Sequence, residues 1–466
     1  MRGTLTGAVL AISGSSAIAG GFYVPEIGGR AAGMGAAVVA DGDDPSAVFH
    51  DPANLVRTDR LQLEVAADLV LPQVTFFRRP LTDPNTGQFI HFDGASNTNS
   101  VVAVPYIGAS YRIGPRVAVG LAVDAPFGAS LDFPADGAQR QLITSIALRA
   151  ISISPAVAVD VGNGLAIGAA ANVIYADLVL DQRNSLTYVT GDPEQYPDPQ
   201  GELQGTTHLA GSDPFSLGAT LGASYRSPTG ALRLGASVMT PVTLHMEGDA
   251  RVENSSISGL FDDQNNQLQP PGVRTDQIKV KIPLPLVARI GVAARLANHV
   301  RGEVDVNWTR WSSFQSLDID FVHEYYLLQT PGAYLYDVHV ANNWHDSWTA
   351  RLGVEAEPFE RPLTLRAGLV FDQSPIDDRH FSVLTPDSDK LGITAGAQWS
   401  QTVGTHRLDF QLAFSHLFLR ERDIAPTASG ESGSDGTILN KPAPSFFYGV
   451  TRAGISILTL AVAWRQ

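Results

Sequence analysis

The sequence predicts an all-β protein, a transmembrane antiparallel β-barrel of about 14 strands with an N-terminal hatch inside its lumen. Three observations support this fold class. Apolar and polar residues alternate in many short segments, a secretory leader precedes them, and a glycine- and alanine-rich segment separates the two. The composition agrees, because charged residues make up 17% of the 466-residue chain, compared with about 25% in an average soluble domain.

Residues 1–19 have the pattern of a secretory signal peptide. Arg2 supplies a positive charge, residues 5–12 form a short apolar run, and residues 17–19 give an A-x-A cleavage site. The sequence SGSS at 13–16 keeps this run below the roughly 20 apolar residues that a membrane-spanning helix needs. We therefore expect the mature chain to begin at Gly20 and strands to make any membrane crossing.

Residues 20–57 predict the hatch. This segment is rich in glycine and alanine, Pro25, Pro45 and Pro52 interrupt it, and it shows neither a helical nor a strand period. It is nevertheless too apolar for an exposed tail. We expect it to act as a plug in a barrel formed by residues 58–466.

Segments of alternating hydrophobicity recur from residue 60 to the end of the chain. In the clearest one, Phe410 and Phe414 alternate with Asp409, Gln411 and Ser415. Successive side chains of a strand point to opposite faces, so one face of this segment is apolar. A soluble β-sandwich gives the same alternation, but its repetition along the chain is typical of an outer-membrane barrel. We expect the apolar faces to contact lipid and the polar faces to line the lumen.

The alternation defines 14 candidate strands, an even number that suits a bacterial barrel. They begin near Leu61, Val101, Val117, Ala150, Leu165, Ser216, Leu232, Lys279, Val300, Thr349, Leu363, Leu391, Leu408 and Ile455. Short breaks at 113–115, 161–164 and 228–230 predict periplasmic turns. Long breaks at 181–214, 253–276, 315–346 and 423–445 predict extracellular loops.

Several functions are disfavoured. The net charge of −15 argues against a nucleic-acid partner, because phosphate binding needs a basic surface. The glycine-rich sequence at 29–35 follows no strand, and the acidic sequence at 41–44 lacks calcium-loop spacing. The chain has no cysteine and no HExxH or GxSxG motif. We expect no enzyme activity, no cofactor and no metal site.

Four sequence blocks together resemble the FadL/TodX family of outer-membrane transporters for long-chain fatty acids and other hydrophobic molecules. They are the N-terminal segment with Asp51-Pro52-Ala53, residues 119–128 ending in DAPFG, WTRWSSF at 308–314, and LRAGLVFDQSPI at 365–376. The family usually has Asn-Pro-Ala at the hatch motif, so Asp51 is a departure.

The resemblance implies a 14-stranded barrel closed by a hatch, located in the outer membrane of a Gram-negative bacterium. Extracellular loops would capture a fatty acid, alkane or aromatic molecule and pass it to an apolar site near the mature N-terminus. The molecule would leave sideways where the third strand kinks, driven by its own gradient. The resemblance also implies a monomer that contacts outer-membrane lipid and lipopolysaccharide and is inserted by the outer-membrane assembly machinery.

Particular residues follow from this resemblance. Phe22 is expected to contact the ligand, although it could simply pack the plug. Pro126, Phe127 and Gly128 interrupt a strand, because proline cannot donate to a ladder and glycine weakens it. They predict a lateral gate, with Phe127 also at the ligand, or else an ordinary strand end.

Two positions depart from fatty-acid members. Asp177 and the pair Trp344-His345 align with positions where a basic residue can hold a carboxylate, unless a loop is misaligned. An acid and a mostly neutral histidine weaken such a clamp, so neutral alkanes or aromatics become candidates. The C-terminal sequence also departs, because Trp464 is followed by Arg465 and Gln466 rather than ending the chain.

Two other functions stay open. A porin for polar solutes has the same barrel but does not need the segment at 20–57. An adhesion or phage-receptor barrel would use its long loops as the active surface.

Overall fold

A single sheet that closes on itself forms most of the molecule. The computed structural model describes residues 21–82, 87–99, 101–185, 204–254, 273–322, 325–326, 334–335, 338–358, 362–425 and 448–466. The expected signal peptide at 1–19, Gly20 and the centres of the four long loops lie outside these residues. Among the described residues, no helix is both long and apolar enough to cross a membrane.

The described residues form 24 strands, two short α-helices and two 3₁₀-helices. The strands are β1 (Leu61–Arg78), β2 (Leu81–Thr82), β3 (Phe89–Ile90), β4 (Ala95–Ser96), β5 (Val102–Arg112), β6 (Val117–Asp132), β7 (Ser145–Gly162), β8 (Leu165–Ser185), β9 (Gln204–Arg226), β10 (Leu232–Met239), β11 (Val242–Asn254), β12 (Val273–Leu284), β13 (Val287–Ala297), β14 (Val300–Thr309), β15 (Ser316–Phe321), β16 (Tyr325–Tyr326), β17 (Tyr334–Leu335), β18 (Val338–Ala341), β19 (Ser347–Ala356), β20 (Leu363–Asp372), β21 (Lys390–Val403), β22 (His406–Leu419), β23 (Arg422–Ile424) and β24 (Gly449–Arg465). The helices are α1 (Gly29–Gly33) and α2 (Ala47–His50), and the 3₁₀-helices cover Pro52–Arg57 and Trp311–Ser313.

The sheet is a closed antiparallel barrel of 14 strands, which confirms the predicted fold class. Closure comes from the pairing of β1 with β24, which runs from Gln62 opposite Arg465 to Arg78 opposite Gly449. Some barrel positions contain two consecutive strands. One such break lies between β10 and β11 at Pro241, because proline has no N–H for the ladder. A closed barrel leaves no open edge, and unpaired backbone groups in lipid would each cost several kcal/mol.

The two faces of the barrel have the predicted chemistry. Phe410 and Phe414 are 47% and 48% exposed, whereas Asp409 and Gln411, the two neighbours of Phe410 in the chain, are 0% and 6% exposed. The same division holds on β14, where Val304 is exposed while Glu303 is buried. The apolar face therefore points outward to lipid and the polar face points into the lumen.

Several predicted strand boundaries are wrong. β7 begins at Ser145 rather than near Ala150, β12 begins at Val273 rather than Lys279, and β24 begins at Gly449 rather than Ile455. The predicted loop at 181–214 is strand at both ends, because β8 runs to Ser185 and β9 starts at Gln204. In these outer parts the buried face carries apolar residues, such as Leu178 and Leu180 of β8 and Ile278 and Val280 of β12, so the alternation no longer has the phase of a lipid-facing strand. The short breaks are confirmed as tight connections, with Asn163 at a positive φ of 54°.

Residues 21–57, called the N-terminal segment below, lie against the inward faces of strands around the ring. Its residues are nearly all buried. It contacts β1 through Glu64, β14 through Asp305, β19 through Glu355 and β21 through Thr394. These strands lie at widely separated positions around the barrel, so the segment occupies the lumen.

Candidate functional site

An aromatic cluster surrounds Phe22 at the start of the N-terminal segment. The ring centroid of Phe22 lies 4.9 Å from that of Trp311, 5.9 Å from Phe314, 6.0 Å from Trp344 and 6.1 Å from Phe127. The contacts with Trp311, Phe314 and Phe127 are edge-on, an arrangement that aromatic pairs favour. The cluster is therefore an apolar site built from the N-terminal segment, β6 and the region between β14 and β19.

The third barrel strand, β6, contains the predicted irregularity. Its register against β7 shifts between Asp124 and Phe127, so that two residues of β6 oppose one residue of β7. Pro126 lies in the shift, where its missing N–H costs no ladder bond. The β-bulge is confirmed, and it keeps both Asp124 and Phe127 on the buried face of the strand.

The N-terminal segment pairs with β6 at this bulge. The Val24 N–H donates to the Pro126 carbonyl at 2.8 Å, and the Gly128 N–H donates to the Phe22 carbonyl at 2.9 Å. Tyr23 and Phe127 form an antiparallel bridge between these bonds. We call residues 22–24 the N-terminal strand, since they cover the inner side of the bulge and satisfy its backbone groups.

A small cavity lies beside the bulge. Its lining includes Pro126 and Phe127 from β6, together with Phe49, Met239, Thr240, Val242, Ile174 and Leu284 from surrounding elements. Five of the lining side chains are polar, namely Asp124, Ser152, Ser154, Asn172 and Thr240. The volume is only about 10 Å³, close to the minimum for one water molecule. The cavity therefore has no room for a ligand in this structure.

The hatch motif Asp51-Pro52-Ala53 begins a 3₁₀-helix pressed against β8 and β9. The Asp51 carboxylate accepts a hydrogen bond from the Ala53 N–H at 3.0 Å, which caps this helix. A Cβ at Gly168 would overlap the backbone of Pro52 and Ala53, and one at Gly222 would overlap the Asp51 carboxylate. Burial raises the pKa of Asp51 to about 7.

Charged contacts fix the N-terminal segment to the barrel wall. Arg30 reaches Glu355 at 3.0 Å and also bonds the Asp41 carbonyl. The Asp305 carboxylate accepts the N–H groups of Val38 and Val39 at 2.9 and 3.1 Å. The partners in these contacts are buried, so removing one member is destabilising.

A second group of contacts links the N-terminal strand to β13. Arg289 donates to the Tyr23 hydroxyl at 2.7 Å and to the Ser237 hydroxyl at 3.3 Å. Its guanidinium also lies 4.8 Å from the centre of the Phe49 ring. These contacts hold Tyr23 beside Phe127, where the two ring centroids are 5.3 Å apart.

Among the expected ligand residues, the structure brings Phe22, Phe127 and Trp344 together but not His345 or Asp177. His345 is exposed, and its ring contacts only the neighbouring Asp346 carbonyl within hydrogen-bond distance. The expectation that His345 lies in the ligand site is therefore corrected. Trp344 is 2% exposed and lies 5.1 Å from Trp311.

Asp177 also lies away from the lumen. Leu178 and Leu180 of the same strand are buried and lie opposite the inward Leu148 and Ile146 of β7. Asp177 therefore lies on the other face of β8, as the exposed Tyr175 does. It forms an ion pair with Arg149 at 2.5 Å. The strand rises about 25 Å between Leu165 and Tyr175 at a tilt of about 40°, which already spans the apolar band. Asp177 is not among the residues around Phe22, and its contact with a ligand stays a prediction.

Sequence reasoning missed Trp311, Phe314, Asp124 and Arg289 as individual site residues. Trp311 and Phe314 lie in the block WTRWSSF and Asp124 in DAPFG, so their signal was visible only as motif membership. Arg289 had no local signal, because its partners come from residues far away in the chain. No group of three or more acidic or histidine side chains in the described residues could hold a metal ion.

Comparisons with known proteins agree with this architecture. The sequence model of the outer membrane protein transport protein family (OMPP1/FadL/TodX) matches residues 9–443. The long-chain fatty acid transport protein of Escherichia coli O157:H7 is 22% identical over 411 residues, covering 84% of this chain and 86% of that protein.

Two solved structures have the same fold. A Pseudomonas aeruginosa FadL homologue superposes with a TM-score of 0.75 at 16% identity, covering 95% of this chain and 99% of that one. The Ralstonia pickettii toluene transporter TbuX superposes with a TM-score of 0.64 at 16% identity, covering 98% and 100%. This chain is a multi-pass outer-membrane β-barrel and belongs to the OMPP1/FadL/TodX family of outer membrane transport proteins.

Proposed function

We propose that this protein is a passive channel through which hydrophobic small molecules cross the outer membrane. A molecule is captured at the extracellular loops, enters the aromatic cluster around Phe22 and leaves sideways through the bulge in β6. The observation that carries this proposal is the pairing of the N-terminal strand with the bulge. The same three residues cover the exit and supply Phe22 to the apolar site, so a ligand that displaces Phe22 also uncovers the exit.

The free energy needed to displace the N-terminal strand is comparable to the free energy gained when a ligand is buried. Freeing the N-terminal strand breaks two backbone hydrogen bonds and the bond from Arg289 to the Tyr23 hydroxyl, each with a net contribution of about 1 kcal/mol, and moves the two aromatic rings of Phe22 and Tyr23. Burial of a ligand contributes about 0.8 kcal/mol for each CH₂ group. A ligand the size of a small hydrocarbon can therefore compete with the N-terminal strand, and no other energy source is needed.

The cavity chemistry favours neutral molecules over carboxylates. Its lining contains no lysine or arginine and includes the acidic side chain of Asp124. One relative is named a long-chain fatty acid transport protein and another a toluene transporter. We propose that this member takes neutral aromatic or aliphatic hydrocarbons. The acidic Asp124 in the cavity beside the bulge supports this proposal.

We further propose that residues 20–57 act as a hatch and that the barrel works as a monomer. The charged contacts of Arg30, Asp41, Glu303 and Asp305 across the lumen support the hatch. The exposed apolar face around the ring suits direct contact with lipid and, at its outer end, with lipopolysaccharide, after insertion by the assembly machinery. A polar-solute porin has no use for a lumen filled in this way.

Deletion of Pro126 tests the lateral exit. It removes the extra residue of the bulge and restores one-to-one pairing with β7, while Asp124 and Phe127 keep facing inward. We expect uptake of toluene by cells that carry this protein as their only such channel to fall to the level of cells without it. Deletion of Val161, the extra residue of another irregularity at the end of β7, is the matched control and should leave uptake unchanged. Normal uptake by the Pro126 deletion in a folded barrel would contradict the lateral exit.

A further inference from the structure

We propose that Asp124 is a specificity residue that selects hydrophobic molecules carrying a hydroxyl group. This inference deepens the proposed function and rests on the exit at the bulge being the route of the ligand. Asp124 immediately precedes the register shift of β6 and lines the cavity beside it. An exiting molecule must pass this side chain.

The carboxylate of Asp124 is buried and has unused hydrogen-bonding capacity. Its side chain is 2% exposed, and neither carboxylate oxygen has a hydrogen-bond partner in the structure. Buried polar atoms normally have partners, because an unsatisfied one costs the full desolvation penalty. The two carboxylate oxygens of Asp124 face the proposed route of the ligand, so they are suited to accept a hydrogen bond from a donor group of the ligand.

Neighbouring polar side chains extend this acceptor into a polar track along the wall. The hydroxyl of Ser152 lies 2.9 Å from that of Ser154, which donates to the side-chain oxygen Oδ1 of Asn172 at 3.2 Å. The Asn172 amide donates to Thr220 at 3.0 Å. Hydroxyl groups both donate and accept, so this track can pass a hydroxyl group without leaving it unsatisfied. Apart from Thr240, the remaining lining of the cavity is apolar and suits a hydrocarbon body.

Charge decides which polar group is accepted. A ligand carboxylate has no hydrogen to donate to Asp124. Arg289, the cation on the inner side, already donates to Tyr23 and Ser237. A neutral O–H donor satisfies the carboxylate without adding a charge.

Uptake of four molecules with one ring skeleton tests this inference. Benzyl alcohol, toluene, benzoate and benzylamine are supplied at pH 7 to cells that make the wild-type protein, Asp124→Leu, Asp124→Asn or Ser154→Ala. Initial rates are taken above those of cells without the protein. Ser110→Ala is the control, since Ser110 is buried on the inward face of β5 and its hydroxyl also has no partner. The heat-dependent gel mobility of each barrel verifies folding.

We expect the ratio of benzyl alcohol to toluene uptake to fall about tenfold in Asp124→Leu, because a hydrogen bond to a charged group is lost. Asp124→Asn should retain part of the ratio, since its amide oxygen still accepts. Ser154→Ala should lower the ratio and Ser110→Ala should not. A ratio that is the same in Asp124→Leu and the wild type would overturn the inference. Wild-type selection of benzylamine over benzyl alcohol would also overturn it, in favour of cations.

Failure of the underlying function would look different. If no molecule of the four enters faster than into cells without the protein, the channel itself is refuted. If all four enter and deletion of Pro126 has no effect, the lateral exit is refuted. Only transport that depends on the bulge and ignores Asp124 counts against the specificity residue alone.

Discussion

Replacement of Phe22 by alanine should release the N-terminal strand from the bulge. Phe22 is 5% exposed and packs against four aromatic side chains. Truncation of such a buried phenylalanine typically costs about 3–5 kcal/mol. The two hydrogen bonds that join the N-terminal strand to β6 contribute only about 1 kcal/mol each. The loss therefore exceeds what these bonds supply, and the open state should become at least about 100-fold more populated.

Hydrogen exchange at the bulge measures this opening. The Gly128 N–H donates to the Phe22 carbonyl, so its exchange reports directly on the N-terminal strand. We expect exchange at Gly128 to accelerate at least about 100-fold in Phe22→Ala, in line with the population change. Phe133→Ala is the control, because Phe133 is equally buried at 5% but is not among the rings around Phe22. Unchanged exchange at Gly128 in Phe22→Ala would refute the coupling between the aromatic cluster and the bulge.

Three further predictions concern the N-terminal segment. Burial raises the pKa of Asp51 to about 7. The contribution of Asp51 to the free energy of unfolding is therefore fully present below about pH 4, and up to about 4 kcal/mol of it is lost as the pH rises to 7. Asp51→Asn should remove this loss. Burial lowers the pKa of His50 to about 3, so the contribution of His50 to stability rises with pH and opposes that of Asp51. The measurement is therefore the difference in apparent Tm between Asp51→Asn and the wild type from pH 4 to 8. A difference that does not change with pH would contradict the role of Asp51. Gly222→Ala places a Cβ on the Asp51 carboxylate and should make residues 51–57 sensitive to protease, whereas Gly114→Ala, which has open space, should not. Arg30→Met removes the ion pair with Glu355 and the hydrogen bond to the Asp41 carbonyl, while Glu355 keeps Arg366. It should destabilise docking of the segment by about 1.5–3 kcal/mol, the contribution of a hydrogen bond to a charged group, seen as increased ion conductance in planar bilayers; a silent barrel would show that the charged contacts do not hold it.

The barrel could be predicted from the sequence because lipid imposes a local rule. Outward residues such as Phe410 and Phe414 must be apolar, whereas inward residues such as Asp409 need not be. Apolar and polar residues therefore alternate along each strand that crosses the membrane. Where strands rise above the membrane, this rule no longer applies. β8 and β9 therefore extended into a predicted loop.

The candidate site was only partly predictable because it joins distant parts of the chain. The bulge was visible, since Pro126 and Gly128 have backbone consequences of their own. The cluster around Phe22 depends on Trp311 and Trp344, which come from the far side of the sequence and meet Phe22 only after the barrel closes. The unsatisfied carboxylate of Asp124 is likewise a property of the packed wall rather than of the local sequence.

Native mass spectrometry of the barrel in mild detergent tests the central claim most directly. The account predicts that the purified protein carries, or binds on addition, a neutral hydrophobic molecule, and that Phe22→Ala, which lacks the ring that the ligand displaces, binds this molecule at a lower concentration. It also predicts that oleate binds more weakly than a hydrocarbon, because the cavity contains Asp124 and no basic side chain. A barrel that binds neither hydrocarbon nor fatty acid yet conducts sugars would contradict the account and identify a porin.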